Sequence, residues 1–472
     1  MMNKIIENIY KKKKEIIEDS INLINIPSII KNKKENIKCL EYIVNKAKKE
    51  GIKTYYTENM DCAVLEIGEG DETLGILTHV DVVDIGDIEK WRTSPFKGVF
   101  DGKFIIGRGA MDDKGPTIII FTIMRVLNSL NLNFKRKIQL IIGTSEEGEW
   151  TDMESFKKEF KNPDFGFTPD GAFPIHNIEK GYADIKIQFD VSLENEYGSI
   201  IFFKSGDSPN TIPSCGKMMI EFSSEENLKL FNKNNQAEGI STIKDNLSLN
   251  VLSIGKSSHS SLPQNGDNAL MKLCRWLYKI NFLDNGAKKA LEFILKMDGN
   301  YTGSKLGFNN KEKYFNDEYI GETFACPTIL KLENNKLILN INIRHKYGVD
   351  LMKIENIFNH LSEKYSFVYT INNYLSPLYV SKGNKLFSLM NKAFEESTGL
   401  SGGFSLAGGT SYTKAFPNTV SWGPVFPGEK DLCHQENEMI NIDSIMKCAE
   451  IYARFMYDFV VGPLPINKKP GY

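Results

Sequence analysis

The chain has 472 residues, of which 41% are hydrophobic and 25% charged, and its formal net charge is -2. That length exceeds one ordinary core and implies two or three domains, one of them interrupted by another. A near-neutral balance argues against nucleic acid as the main partner, and no apolar stretch is long enough to cross a bilayer.

In chain order, the lysine cluster Lys11–Lys14 comes first. Glu15, Glu18 and the apolar Ile16, Ile17 and Ile21 follow it at helical spacing, so it reads as a solvated helix face. No signal-peptide core follows. Seven cysteines, odd in number and without a CxxC pair, suit reduced thiols. A cytoplasmic protein without a membrane partner is expected. The segment to about Glu50 predicts two helices interrupted at Pro27, with Gly51 at a C-cap position.

Two β-rich pieces follow, Cys62–Ile67 and Leu74–Val83, split by the turn Gly68-Glu69-Gly70-Asp71. The second places His79 and Asp81 two apart, on one face if both lie in a strand. A glycine-rich loop leads to Asp112-Asp113, and Pro116 opens a long helix. Lys137–Gly143 predicts a buried strand ending at Ser145-Glu146-Glu147. Phe165–Thr168 predicts another, ending at Pro169-Asp170. Three strands terminating in ionisable groups, with helical segments between them, predict an α/β sheet whose carboxyl edge is the site.

From about Gly181 the texture changes. Tyr182–Val191 and Lys336–Arg344 alternate apolar and polar residues, as strands with one solvated face do, and helical segments lie between them at Asn268–Tyr278 and Lys288–Lys296. This predicts an α+β insert over 181–380, inside a discontinuous domain made of 1–180 and 381–472. A final helix is expected over Asp443–Phe459.

His79, Asp112, Glu147, Asp170 and His434 are two imidazoles and three carboxylates, each in a short polar interruption beside an apolar element. Such donors suit zinc, manganese or cobalt. Three carboxylates and one bridging hydroxide would balance two divalent ions. Two such ions about 3.5–4 Å apart make a nucleophile from water and polarise a carbonyl, so hydrolysis is the expected chemistry. The adjacent Glu146-Glu147 can divide into a general base and a ligand.

The motifs HVDVV (79–83), GRGAMDDKG (107–115), SEEG (145–148), TPDG (168–171) and HQENE (434–438) resemble those of the two-zinc aminoacylase, carboxypeptidase and dipeptidase metallopeptidases. The likeness is greatest to peptidase V and the Xaa-His, carnosine-type dipeptidases, and the motifs run in order along nearly the whole chain. The resemblance implies a catalytic domain with a mixed sheet flanked by helices and an inserted α+β lid. It implies that Asp112 bridges two ions, that His79 and Asp170 complete one, and that Glu147 and His434 complete the other. Asp81 would orient the His79 ring, and Glu146 would act as general base.

In the insert, Gly255-Lys256-Ser257-Ser258-His259 resembles the family's lid histidine motif, with His259 stabilising the oxyanion. Asn210 in SPNTIP and Arg344 in NIRHK resemble residues that hold the scissile carbonyl and the substrate carboxylate. Without the resemblance, Asn210 reads as a turn residue and Arg344 as a surface charge. The run Gly408-Gly409-Thr410-Ser411-Tyr412-Thr413-Lys414 departs from the family's Gly-Gly-Thr-Tyr-Ala-Arg by an offset and by lysine for arginine. Backbone N–H groups there, including that of Gly409, can still meet a carboxylate. The expected activity is hydrolysis of dipeptides with free amino and carboxyl ends. N-acyl amino acid deacylation or a small carboxypeptidase is the alternative within the family, and a non-catalytic metal-binding protein the alternative outside it. The insert resembles the enlarged lid of monomeric dipeptidases, so a monomer is expected, with a dimer as the alternative.

Overall fold

Thr73–His79 forms a strand in which every residue is buried, as expected of an apolar run covered on both faces. In the computed structural model, which describes residues 1–463 except 233–236, 281, 282, 284 and 300, this strand lies inside a mixed sheet. Lys137–Gly143 runs parallel to it on one side, with His79 opposite Gly143, and Phe165–Thr168 runs parallel on the other. Thr419–Ser421 continues the parallel run beyond Phe165–Thr168. Ala63–Gly68 and Lys53–Tyr56 add antiparallel strands outside Lys137–Gly143.

The strand ends at His79 rather than at Val83. Val80 N–H still reaches Gly143, but Val82 N–H donates to Ser28 and Ile30 N–H donates to Val82, so the chain leaves the sheet for the Ser28–Ile30 segment. Asp81 therefore lies beyond the strand, not on a shared face with His79. The opening segment also differs from expectation. It makes three helices, Met2–Lys11, Lys13–Ile24 and Lys33–Lys49, the first two parted only at Lys12.

Two helices with long apolar runs cover the sheet of this first unit. Lys114–Asn128 is almost wholly buried, with Pro116 in its first turn, where a missing N–H costs nothing. Ile442–Val461 is capped by Asn441, whose side chain accepts from Asp443 N–H, and it sets Tyr452 and Phe455 against Phe167 of the sheet. No helix among the described residues is long and apolar enough to cross a membrane.

The chain divides into two units, Met1–Asn177 with Val380–Ser405 and Ser411–Tyr472, and Ile178–Tyr379 with Leu406–Thr410. Gly408 and Gly409 thus belong with the second unit. That unit is built on an antiparallel sheet in the order Ile240–Asp245, Ser248–Ile254, Cys215–Phe222, Gly198–Ser205, Phe324–Glu333, Lys336–His345, Gly181–Phe189, Phe367–Leu375. Ile185, Ile187 and Phe189 alternate with Lys186 and Gln188, and join Leu270, Phe293 and Phe358 in one core. An α+β insert in an α/β unit is the architecture of the chain.

Candidate metal centre

Because Lys137–Gly143, Thr73–His79 and Phe165–Thr168 are parallel neighbours, their carboxyl ends lie side by side. Open α/β sheets present their functional groups at that edge. His79 is the last strand residue, Glu146 and Glu147 follow Gly143 by three and four residues, and Asp170 follows Thr168 by two. Asp112 precedes the Lys114–Asn128 helix and is joined to Asp113 by a cis peptide. His434 arrives from the far end of the chain on a backbone with φ 64°, a conformation rare for a side chain other than glycine.

Asp112 stands between the two imidazoles. Its Oδ1 is 2.9 Å from His79 Nε2 and its Oδ2 is 3.1 Å from His434 Nε2. Asp170 Oδ2 lies 3.9 Å from His79 Nε2, and Glu147 Oε1 lies 2.9 Å from His434 Nε2. Among the described residues, two groups have their donor atoms within 4.8 Å of one another: His79, Glu146 and Asp170, and Asp112, Glu147 and His434. All five ligand positions expected from the sequence, and Glu146, therefore converge.

The electrostatics report a shortage of positive charge. Burial, then the Asp112 charge, pushes Asp170 up to about 8. Burial and Asp170 hold Glu146 well above the usual carboxylate range, and burial raises Glu147 as well. Asp112 moves down: burial opposes its charge, and contacts with His434 and His79 outweigh that. Burial also opposes protonation of His79, but Asp112 and Asp81 override it and raise the imidazole well above its ordinary value.

A divalent cation would relieve this excess of negative charge. The donor set fits one. His79 Nε2, Asp112 Oδ1 and Glu146 Oε1 are buried and make no aligned hydrogen bond, although the first two are close together. Imidazole nitrogens and carboxylate oxygens converging in this way are the chemistry of metal ligands.

His79 Nδ1 lies 2.9 Å from the backbone carbonyl of Asp81. A carbonyl only accepts, so Nδ1 carries a proton, which leaves Nε2, toward Asp112, as the nitrogen available to a cation. The Asp81 carboxylate is 3.5 Å from Nδ1, and its closer partners are elsewhere: it accepts the N–H groups of Glu146 at 3.2 Å and Glu147 at 3.1 Å. Asp81 thus touches the ring mainly through its main chain, and its side chain holds the turn that carries the two glutamates.

Glu438 is the residue that sequence reasoning left without a role. Fully buried, it accepts Met111 N–H at 2.8 Å and Asp112 N–H at 3.1 Å on Oε1, and Gly109 N–H at 3.0 Å and Arg108 Nη1 at 2.9 Å on Oε2. Arg108 is buried too, stacked over Trp91 and donating to the carbonyls of Gln435 and Asp84. The signal was an acid closing HQENE and an arginine opening GRGAMDD, but nothing local pairs them.

In the second unit, Asn210, His259 and Arg344 form one cluster. Ser260 N–H donates to the Asn210 carbonyl, and Thr211–Ile212 pairs with Ser258–His259. Asn342 donates to the Pro209 carbonyl and accepts from Arg344 Nε at 3.1 Å. Arg344 is buried, not a surface charge; its guanidinium stacks 4.8 Å from the Tyr182 ring, and burial lowers it to about 10. His259 is exposed, with Nδ1 2.5 Å from Ser261 Oγ. At Gly409 a Cβ would meet nothing within 4 Å, so its backbone is open.

Imidazoles and carboxylates clustered at the carboxyl edge of a mixed sheet, on a chain with an α+β insert, define a metallopeptidase. The chain belongs to peptidase family M20/M25/M40, whose family model matches residues 75–458. It is 31% identical over 471 residues to "Putative dipeptidase YtjP" of Bacillus subtilis (strain 168), covering 95% of this chain and 98% of that one. Human carnosine dipeptidase 1 shares the fold at a TM-score of 0.60 and 16% identity, covering 97% of this chain and 98% of its own. The dipeptidase Dug1p of Saccharomyces cerevisiae does so at 0.61 and 14%, covering 100% and 99%. At those identities the likeness to the solved structures is one of fold.

Proposed function

We propose that this protein is a cytoplasmic dipeptidase that uses two divalent ions, zinc foremost, to hydrolyse the peptide bond of dipeptides with free amino and carboxyl ends. One observation carries the reading: Asp112 offers one oxygen to each imidazole, and the buried, unpaired Oε1 of Glu146 lies beside them. Asp112 would span the two ions, His79 and Asp170 would hold one, and Glu147 and His434 the other. Ions bound there supply Lewis acidity toward water and the scissile carbonyl.

Glu146 takes the proton of the attacking water and returns it to the leaving amine. His259 stabilises the oxyanion, and Asn210 orients the scissile carbonyl. The buried fork of Arg344 and the open backbone at Gly409 receive the substrate carboxylate. The likeness to the putative dipeptidase of Bacillus subtilis supports the substrate class. Seven free cysteines suit a reducing compartment.

Purified protein loaded with zinc, manganese or cobalt is tested against dipeptides, tripeptides and N-acetyl amino acids. Dipeptides should be cleaved and the other two classes spared. Turnover confined to N-acetyl amino acids would replace this reading with a deacylase, and removal of C-terminal residues from tripeptides with a carboxypeptidase.

A further inference from the structure

Glu146 has no side-chain partner that sets its position. Its Oε1 is buried and makes no hydrogen bond, and none to its carboxylate is found among the described residues. A general base must nevertheless be held to within a fraction of an ångström of the proton it takes. The placement has to come from the backbone beneath it, which is fixed at both ends by buried carboxylates. Asp81 accepts the N–H groups of Glu146 and Glu147. Asp152 Oδ2 accepts those of Thr144 at 2.6 Å and Ser145 at 2.9 Å. Four successive amides, Thr144 to Glu147, therefore donate to two carboxylates.

Asp152 is itself anchored. Its Oδ2 also accepts the Tyr412 hydroxyl, and Oδ1 accepts Met153 N–H. Tyr412 is fully buried, edge-on to the His79 ring and to Trp150, whose Nε1 donates to the Glu146 carbonyl at 2.8 Å. A side chain at Gly143 would collide with both the Tyr412 hydroxyl and Asp152 Oδ2, so the strand must end in glycine for the carboxylate to reach the turn. One aromatic ring thus touches a ligand imidazole and the carboxylate behind the base.

We propose that Asp152, anchored by Tyr412, is a positioning residue of the reaction, fixing Glu146 through the backbone of Thr144–Glu147. The inference rests on the reading of Glu146 as the base. Charge-assisted bonds from successive amides to a buried carboxylate hold a turn more rigidly than neutral bonds do. Misplacing a catalytic group by about 1 Å costs on the order of 100-fold in rate.

Three variants and two readouts test it. Asp152→Ala should lower kcat by about 100-fold on whichever panel substrate the wild type turns over, with KM changed less than about threefold and metal content unchanged. Asp152→Asn, which keeps an oxygen for Thr144, Ser145 and Tyr412, should recover most of that loss. A merely structural aspartate would lower the melting temperature and leave kcat per folded molecule alone, and that result overturns the proposal, as does an Asn variant no better than Ala. Should Asp152→Ala not fold, Tyr412→Phe carries the same test: kcat falls about tenfold at constant KM, and an unchanged kcat overturns the proposal.

The second readout needs neither metal nor substrate. Amide hydrogen exchange at Thr144–Glu147 in the metal-free protein should be slow in the wild type and fast in Asp152→Ala. Fast exchange in the wild type removes the clamp even if dipeptides are cleaved. Slow exchange with no dipeptide turnover instead removes the dipeptidase reading, and the kcat comparison then runs on the substrate class that is cleaved.

Discussion

Glu438 holds Asp112 by its main chain: Oε1 accepts the Asp112 N–H at 3.1 Å while Oε2 pairs with Arg108 at 2.9 Å. Removing the acid would leave a buried guanidinium without its counter-charge and the Gly109, Met111 and Asp112 amides unsatisfied. Glu438→Ala should therefore cost about 3–5 kcal/mol in urea unfolding and weaken metal binding about 10–100-fold. Glu438→Gln should recover part of the stability through its carbonyl. An alanine variant with unchanged unfolding and metal titration would contradict the arrangement.

The Glu146 carboxylate makes no hydrogen bond among the described residues. Glu146→Gln keeps the shape and removes the base, so kcat should fall by about 10²–10⁴, with metal content and melting temperature preserved. Metal analysis alongside steady-state kinetics decides it, and turnover at the wild-type rate would assign the proton transfer elsewhere.

Chelation should destabilise the protein. Without cations, the cluster leaves Asp170, Glu146 and Glu147 with raised proton affinity. At free metal about 100-fold above Kd, one site contributes about 2.7 kcal/mol to the folded state. Calorimetry with and without chelator should show a fall in melting temperature that reloading reverses, and no shift would show that the residues hold no ion.

His176, on the Ile175–Glu179 strand opposite Ser421, is lowered by burial from 6.5 to about 4. The folded state keeps it neutral over a range where the unfolded chain takes up a proton. Its stabilising contribution is complete above pH 6.5 and lost as the pH falls toward 4. His176→Phe should flatten that part of the melting-temperature profile, and an identical slope in both proteins would exclude His176 as its source.

The clustering of His79, Asp112, Glu147, Asp170 and His434 is legible in the sequence because each interrupts or follows an apolar run, and parallel strands bring such ends together. The roles of Glu438 and Asp152 are not legible. Their partners are remote, 326 residues away for the Glu438–Asp112 bond and 260 for Tyr412–Asp152, and an isolated acid carries no mark of its donors. Asp81 misleads for a local reason: alternation places it on the face of His79 only while the strand continues, and the strand stops at His79. Arg344 reads as a surface charge because burial of a cation depends on neighbours such as Tyr182 that pair across strands.

Glu147 and His434 meet across a sequence separation of 287. During synthesis, a chain complete through the first sheet strands still lacks one imidazole of the centre, so an ion arriving early finds an unfinished set of donors. The full affinity exists only after the C-terminal segment has returned to the sheet edge. If the proposed ions bind there, their uptake would be coupled to the return of the C-terminal segment, and a bound ion would record whether the two ends of that unit have found each other.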